Sequence, residues 1–171
     1  MPPALRQRGS WSFTLGRSGE KMSVNSDFKE ILSTFNAKRV KYLVVGGHAV
    51  IKYTEPRYTK DLDIWVKADS ENARAVFAGL KEFGAPLTNL SAEDFAQEGH
   101  FYQMGVPPVR VDILMSVTGL RFDDAWSRRL EVDFDGIRVP FISKADLIAA
   151  KRAAGRPQDL LDVDSLLSTE D

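Results

Sequence analysis

The sequence predicts a small α/β (α+β) domain in which helices flank a mixed sheet. Segments with apolar residues at helical spacing alternate with short apolar or alternating segments that are typical of strands. One apolar run ends in Gly46-Gly47, as a buried strand of an α/β domain does, and Asp135-Gly136 joins two strand-like segments in the manner of a hairpin turn. Strands separated by helices, together with one hairpin, favour a single mixed sheet covered by helices.

The elements of the first half follow from apolar spacing and from turn residues. Apolar residues at i, i+3, i+4 and i+7 from Phe28 predict the first helix, and a proline disfavours helix in the residue before it. Residues 85–98 are polar and mixed, and no element is predicted there. The expected elements are a helix from Asn25 to Ala37, a strand at 42–45, a helix from His48 to Tyr53 ended by Pro56, a strand at 61–66, and a helix from Ser70 to Phe83 ended by Gly84.

The second half holds the remaining strands and ends in two helices. Ser143 with Asp146 three residues later is typical of a capping box, and proline is favoured in a first helical turn. The expected elements are strands within 100–105 and 109–115, a short helix from Asp123 to Arg129, hairpin strands at 131–134 and 137–141, a helix from Ser143 that ends at Gly155, and a helix opened by Arg156-Pro157 that runs to Leu167.

Composition narrows the available chemistry to carboxylates. The 171 residues include no cysteine, which excludes disulfides, thiolate zinc sites and cysteine nucleophiles. The two histidines, His48 and His100, are far apart in the chain, so carboxylate ligands remain, and these favour Mg²⁺ or Mn²⁺. A net charge of -1 gives no overall basic field, so binding of nucleic acid needs a local patch. No stretch approaches the roughly 20 apolar residues of a membrane span, so no membrane partner and a cytoplasmic location are expected.

Residues 1–22 are expected to form a poorly ordered basic leader before a domain at 23–171. The leader has four basic residues against one acid and lacks the apolar run of a secretory signal. An organelle transit peptide is the alternative, although the segment has no clean amphipathic period. Met22, at the end of the leader, is an alternative start of translation.

Asp61 and Asp63 form the first chemical signal in the chain. They lie two residues apart in the predicted strand DLDIWV, so both carboxylates face one side of the sheet while Leu62 and Ile64 face the other. At ~5 Å between two like charges and an effective dielectric of about 20, their repulsion is about 3 kcal/mol. This cost indicates a bound cation. For an isolated acid pair, the alternative is two solvated carboxylates on an edge strand.

Two further features strengthen the interpretation of a cation site. Gly46-Gly47 lies where a predicted strand meets a helix. The free N–H groups and the dipole at the start of a helix favour binding of an anion. The alternative is that the two glycines only form a tight turn. Asp112 lies within the apolar strand VRVDILM, where an acid is costly unless it is paired or bound to a metal. The alternative partner of Asp112 is an arginine, either Arg110 or Arg57.

The combination of these motifs resembles the nucleotidyltransferase superfamily that is related to DNA polymerase beta. That superfamily carries a hydrophobic residue with Gly-Gly or Gly-Ser, then an acid-hydrophobic-acid-hydrophobic motif, and a third acid on a later strand. This chain has Val45-Gly46-Gly47, then Asp61-Leu62-Asp63-Ile64, and Asp112. The segments GGHAV, EPRYTKDLDIWV and ADLIAAKRAAGRPQDLLDVDSL resemble the branch of AbiEii-type toxin nucleotidyltransferases and their small uncharacterised relatives, and the resemblance covers Lys41 to Leu167.

The resemblance implies a nucleotidyltransferase fold and roles for particular residues. Asp61, Asp63 and Asp112 are the expected catalytic residues and metal ligands, and the implied cofactor is Mg²⁺ or Mn²⁺, as two ions. The expected nucleotide-binding residues are Gly46, Gly47, His48, Arg57, Thr59 and Lys151. The residues that match the C-terminal motif of the branch are Arg156, Asp159 and Asp162. From the residues alone, ordinary packing is the alternative for His48, a solvated lysine for Lys151, and ion pairs for Arg57 and the C-terminal motif.

The chain also departs from the family pattern. His48 follows the two glycines, whereas many active members carry serine after the first glycine. Full AbiEii-type toxins have an additional helical domain and are longer than this chain. The difference in length implies that a helical, substrate-binding module is either missing or supplied by a partner protein.

The implied function is transfer of a nucleoside monophosphate from an NTP to a hydroxyl acceptor with release of pyrophosphate, in a toxin–antitoxin setting. RNA, protein and small molecules are all candidate acceptors. The second functional class is a non-catalytic NTP-binding regulator or antitoxin-like module with the same fold. The presence of all three carboxylates favours the enzyme, and a sugar-processing or hydrolytic enzyme leaves the Gly-Gly turn unexplained.

The leader generates a first prediction. A chain that starts at Met22 should unfold within a few degrees of the full chain, because a segment without sustained apolar spacing adds little to a core. Thermal unfolding of the two chains measures this difference. A large drop in melting temperature on removal of residues 1–21 would mean that the leader packs on the domain.

Overall fold

The structure is a computed structural model that describes residues 26–56, 59, 61–106 and 109–169. Its strands are β1 Tyr42–Val45, β2 Asp61–Val66, β3 Phe101–Met104, β4 Arg110–Leu114, β5 Leu130–Phe134 and β6 Ile137–Phe141. Its helices are α1 Ser26–Ala37, α2 Gly46–Tyr53, α3 Ser70–Phe83, α4 Phe122–Ser127, α5 Lys144–Ala154 and α6 Pro157–Ser168, with a 3-10 helix at Ala92–Ala96. The predicted leader and Asn25 lie outside the described residues.

The strands form one mixed sheet in the order β3-β4-β2-β1-β6-β5. Parallel pairs join β2 to β4 and β1 to β6, and antiparallel pairs join β1 to β2, β3 to β4 and β5 to β6. Both faces of β1 are buried, as the apolar run YLVV predicts for a central strand. These features confirm the predicted α/β (α+β) fold with a small mixed sheet and flanking helices.

The helices cover the sheet and leave the acidic face of β2 accessible. Helix α1 packs against α3, α5 packs against α6, and α2 contacts β1, β2, α5 and α6. In β2, Leu62 and Ile64 are fully buried, whereas Asp61 and Asp63 on the alternate positions are partly exposed. None of the described helices is long and apolar enough to cross a membrane.

The helix after β1 begins earlier than the sequence predicts. It starts at Gly46, with Val45 as an extended N-cap, so both glycines belong to α2 and the predicted start at His48 is wrong. Gly46 has a φ of +67°, and a Cβ at this position would collide with Oδ2 of Asp63. Glycine is therefore required here because a carboxylate from β2 approaches the backbone.

The segment at 85–98, for which no element was predicted, contains the 3-10 helix Ala92–Ala96 packed against α3. Ser91 and Asp94 form a capping box at its start, and the backbone N–H of Ser91 donates to Asp94 Oδ2 over 2.8 Å. The Ser-x-x-Asp spacing was therefore a readable signal. Short 3-10 turns lack the apolar repeat by which longer helices are recognised.

Other predicted termini agree closely with the structure. Helix α3 runs from Ser70 to Phe83, as predicted, and Gly84 ends it in the left-handed conformation with a φ of 91°. Ser143 caps α5 by accepting a hydrogen bond from the backbone N–H of Asp146 over 3.1 Å. The short helix α4 covers Phe122–Ser127, one residue earlier at its start than predicted.

The side chain of Asn72 in α3 forms hydrogen bonds at one end of the β1–β2 strand pair, the end that is opposite to the acids. Its side chain accepts a hydrogen bond from Lys41 N at 2.8 Å and donates to the carbonyl oxygens of Lys41 at 3.0 Å and Lys67 at 2.9 Å. Asn72 is buried, and its three hydrogen bonds add to the one that Lys67 N donates to the carbonyl oxygen of Lys41 over 3.2 Å. The β1–β2 register, which also sets the position of Asp63, is fixed in part by this side chain.

Asn72→Leu should lower the free energy of unfolding by about 2–4 kcal/mol, because it removes three hydrogen bonds that join α3 to the ends of β1 and β2. Urea denaturation measures the change. The matched control is Arg74→Leu on the exposed side of the same helix, with an expected effect below about 0.5 kcal/mol. Equal effects of the two substitutions would contradict the role given to Asn72.

Candidate active site

The parallel register of β2 and β4 brings the three predicted carboxylates together. Asp63 lies directly opposite Asp112, and Asp61 lies directly opposite Arg110. Side chains in register on neighbouring strands share one face, with the strands about 4.8 Å apart. The arrangement places two acids from β2 and one acid from β4 around a single point on the sheet.

Arg110 joins two of these acids. Its Nη2 donates to Asp61 Oδ2 over 2.7 Å and to Asp112 Oδ2 over 3.2 Å. The Nε atom lies 3.2 Å from Asp112 Oδ1 without the alignment of a hydrogen bond. The sequence offered Arg110 only as an alternative partner of Asp112, and it missed the contact with Asp61. The signal was available, since residues 110 and 112 lie on the same face of one strand.

Asp63 and Asp112 form a coupled pair of carboxyl groups. Burial raises the pKa of Asp63 to about 7, and the charges of Asp112 and Asp61 add to the rise, while Lys151 opposes it. Burial also raises the pKa of Asp112, although Arg110 opposes this shift. A hydrogen bond between the two carboxyl groups favours the protonated form of Asp63. Without a cation, the pair therefore retains a proton near neutral pH.

A cavity of about 270 Å³ opens beside Asp63. The start of α2 lines one wall with Gly46 and Gly47, and α5 contributes Lys151. No side chain caps the start of α2 by a hydrogen bond in the described structure. Free N–H groups and the positive end of a helix dipole suit an anion such as phosphate. Two predicted glycines and one predicted lysine are thus brought to the acid site.

Lys151 is a paired and nearly buried lysine. Its Nζ lies 3.2 Å from Asp159 Oδ1 and 3.0 Å from Asp162 Oδ2, and its side chain is 13% exposed. Arg156 contacts Asp159 through Nε at 2.6 Å, and both residues line the cavity. Burial alone raises the pKa of Asp159, but hydrogen bonds from Arg156 and Lys151 outweigh burial and lower it. The C-terminal residues therefore fix the position of Lys151, a role that their sequence pattern did not reveal.

His48 lies away from this cavity. Its ring packs edge-on against Phe28 and Phe134, with ring centroids 5.7 Å and 5.9 Å apart. Burial lowers the pKa of His48 to about 4, so the ring is neutral at pH 7. The structure therefore favours packing over the predicted phosphate contact for His48.

The remaining predicted residues precede β2. Thr59 Oγ1 lies 3.5 Å from the carbonyl oxygen of Asp61, at the limit of a hydrogen bond, and Thr59 is not among the residues that line the described cavity. Arg57 lies outside the described residues. Roles of Thr59 and Arg57 in nucleotide binding stay predictions from the sequence.

The oxygen donors at this site fit a divalent cation. Asp61 Oδ1 and Asp112 Oδ1 are buried and have no hydrogen-bond partner within the described part of the chain. Carboxylate oxygens are the ligands that Mg²⁺ and Mn²⁺ prefer. No group of three or more acids or histidines is already arranged as a metal site among the described residues, and the Arg110 guanidinium bridges Asp61 and Asp112 there. The Arg110 guanidinium thus already neutralises two of the three acids that a cation would bind.

A second cavity, also of about 270 Å³, lies beside edge strand β3 and has a mainly aromatic lining. Its lining includes Phe95, Phe101, Tyr102 and His100, and none of the predicted site residues lines it. The chemistry of phosphate transfer requires charged and N–H groups, which converge instead on the cavity beside Asp63.

The mixed sheet, the strand-borne acids and the glycine start of α2 together define a protein of the nucleotidyltransferase class. The lincosamide antibiotic adenylyltransferase LnuA, in its lincomycin-bound structure, is similar with a TM-score of 0.54 and 17% identity, over 85% of this chain and 98% of LnuA. A protein from Thermotoga maritima, described as a nucleotidyltransferase, is similar with a TM-score of 0.57 and 19% identity, over 82% of this chain and 89% of its own. At these identities the likeness concerns the fold alone.

Residues 22–169 match the family described as nucleotidyltransferase of unknown function (DUF6036), and the chain belongs to this family. The resemblance to the nucleotidyltransferase superfamily is thereby confirmed. No curated protein matches the chain.

Asp63→Asn should stabilise the metal-free protein at pH 8 by about 1–3 kcal/mol, below the full ~4 kcal/mol that a pKa rise of about three units represents. Folded Asp63 keeps its proton up to about pH 7, whereas the ordinary pKa of an aspartate, as in the unfolded chain, is 3.8. The resulting stability is present below the unfolded pKa and is lost as the pH rises through the folded pKa. Asparagine carries no charge at any pH, and its amide can donate to Asp112.

Urea denaturation in chelator at pH 8 and pH 4.5 measures this effect. The advantage of Asp63→Asn should shrink at pH 4.5, where folded Asp63 is protonated. The control is Asp164→Asn on the exposed face of α6, with little change at either pH. A loss of stability in Asp63→Asn at pH 8 would show that the carboxylate is not under electrostatic strain.

Proposed function

We propose that this chain is a metal-dependent nucleotidyltransferase that moves a nucleoside monophosphate from an NTP to a hydroxyl acceptor. The observation that supports this most is the pairing of Asp63 with Asp112 beside the cavity lined by Gly46, Gly47 and Lys151. In this transfer the acceptor oxygen forms a bond to the α-phosphorus, the bond from that phosphorus to the oxygen of the β-phosphate breaks, and pyrophosphate leaves. The site must take up the proton of the hydroxyl and stabilise negative charge.

The carboxylates of the site can take up the proton of the acceptor hydroxyl and can hold a cation. Mg²⁺ or Mn²⁺, two ions in our proposal, would be held by Asp61, Asp63 and Asp112 and would supply positive charge to the triphosphate oxygens when bound. Asp112 lies on a different strand from the other two acids, so it is assigned to the acceptor hydroxyl. Burial raises the pKa of Asp112, which makes its carboxylate a better proton acceptor than a solvated acid.

Backbone N–H groups and basic side chains stabilise the negative charge of the triphosphate. The N–H groups of Gly46 and Gly47 donate to phosphate oxygens, and the dipole of α2 adds to the attraction. Lys151 faces the same cavity from α5 and neutralises triphosphate charge. Because Asp159 and Asp162 hold its ammonium group, Lys151 is already in position before the nucleotide binds.

The acceptor and the biological setting belong to the proposal as well. The motifs GGHAV and ADLIAAKRAAGRPQDLLDVDSL support the AbiEii-type branch, and with it a toxin–antitoxin role and a partner protein that supplies a helical module. One structural neighbour is an adenylyltransferase for a lincosamide antibiotic, which keeps a small molecule beside RNA and protein as a candidate acceptor.

The second candidate function is a non-catalytic NTP-binding regulator or antitoxin-like module. The observation that favours it is charge compensation without a ligand: Arg110 bridges Asp61 and Asp112, and Lys151 is paired with two carboxylates. Such pairing would suit a module that holds a nucleotide without reacting. The two functions differ in what Asp112 contributes.

Asp112→Asn should leave NTP affinity within several-fold but lower transfer by about 10²-fold or more, because the interaction with the attacking hydroxyl develops in the transition state. Asp61→Asn and Asp63→Asn should also weaken metal-dependent NTP binding. Incubation of wild type with each labelled NTP, Mg²⁺ and cell extract first identifies the nucleotide and the labelled acceptor class. NTP affinity and single-turnover transfer are then measured for all three variants.

Asp164→Asn, far from the cavity on the exposed side of α6, is the matched control and should keep wild-type binding and transfer. If wild type binds NTP but labels no RNA, protein or small molecule, and Asp112→Asn behaves as wild type in every assay, the protein is the non-catalytic module.

A further inference from the structure

The guanidinium of Arg110 stands between two of the three acids of the site. Arg110 lies opposite Asp61 in the strand register and two residues before Asp112 on β4, so the sheet itself aims its side chain at both. Nη2 serves as donor to one oxygen of each carboxylate, at 2.7 Å and 3.2 Å. Charge-assisted hydrogen bonds of this kind are among the stronger polar contacts in proteins.

The bridge leaves donors and acceptors unused. Asp61 Oδ1 is buried without a hydrogen-bond partner in the part of the chain that the structure describes, and Arg110 Nε and Asp112 Oδ1 lie 3.2 Å apart without the alignment of a hydrogen bond. A buried ion pair is favourable only where the remaining lone pairs and protons also find partners. The arginine therefore neutralises the charge of the two acids but does not donate a hydrogen bond to each of their oxygen atoms. Arg128 differs, because it donates hydrogen bonds of 2.9 Å to both oxygen atoms of Asp146.

We propose that Arg110 is the internal counter-ion of the metal-free site and competes with the divalent cation for Asp61 and Asp112. This inference rests on the proposed function, because it assumes a cation at these acids. The guanidinium and the cation bind the same two carboxylates, and their positive charges repel each other. Arg110 must withdraw from at least one acid when the cation binds, and its side chain is 32% exposed, which gives it a route toward solvent.

Arg110 is therefore a positioning residue with two opposite effects. It stabilises the metal-free protein by offsetting repulsion among the acids, and it weakens the affinity of the site for a cation. An arginine that merely ordered the carboxylates would act in one direction, since its loss would lower both the stability and the affinity.

The test compares wild type with Arg110→Gln, Arg110→Lys and the control Arg128→Gln. Binding of Mn²⁺ to the full chain without nucleotide is followed by electron paramagnetic resonance, and melting is measured in chelator. Arg110→Gln should bind Mn²⁺ about tenfold more tightly than wild type and should melt at a lower temperature, since the folded, metal-free protein loses the hydrogen bonds of Arg110 to two carboxylates. Arg110→Lys, which keeps the charge but cannot bridge two acids with a planar fork, should lie between them. Arg128→Gln should melt lower with unchanged affinity for Mn²⁺.

Unchanged or weaker binding of Mn²⁺ by Arg110→Gln would overturn the competition. If Arg110→Gln does not fold, affinity in Arg110→Lys decides in the same way, and a wild-type value overturns the proposal. If wild type binds Mn²⁺ and Asp63→Asn does not, the proposed function stands, even where the affinities of the Arg110 variants overturn the inference about Arg110. Absence of Mn²⁺ binding in wild type and in both Arg110 variants would overturn the inference together with the metal dependence of the proposed function.

Discussion

The parallel pairing of β2 with β4 is the constraint on which the site depends. Its register sets Asp63 against Asp112 and Asp61 against Arg110. Because side chains alternate along a strand, a slip of one residue would turn Asp112 to the opposite face and bring an apolar neighbour in its place. Val111 and Ile113, fully buried on that opposite face, oppose such a slip, so the apolar core specifies the geometry of the acids.

The acids make the site costly in the folded protein, and the surrounding structure offsets that cost. Burial and like charges raise the pKa of Asp63, which measures how unfavourable its ionised form is there. The fully buried strand β1 and the core around Leu62 and Ile64 supply apolar burial next to this strain. Like charges are thus brought close together where function is proposed, as is expected of a functional site.

Most elements could be predicted from the sequence because local signals agreed with the tertiary structure. Helix α3 has an apolar repeat and ends at Gly84, and the hairpin turn carries Asp135-Gly136, so their limits were readable. The start of α2 was not, because glycines are poor helix formers and only the approach of Asp63 explains Gly46. The grouping of Asp61, Asp63 and Asp112 followed from motifs, whereas the contacts of Arg110 and the location of His48 depend on strand register and side-chain packing.

Charge balance around the cavity links these observations. Among the described residues at the site there are five carboxylates and three basic side chains. The carboxylates are Asp61, Asp63, Asp112, Asp159 and Asp162, and the basic side chains are Arg110, Lys151 and Arg156. Each basic group is already paired with at least one acid, so the described site as a whole carries no net positive charge before a nucleotide binds. A nucleotide that entered alone would add anionic groups to a negative site, at a cost that grows as water is excluded. If the proposed function holds, the triphosphate must therefore enter after the cation or together with it, and the ion pairs that neutralise the resting site must rearrange as it does.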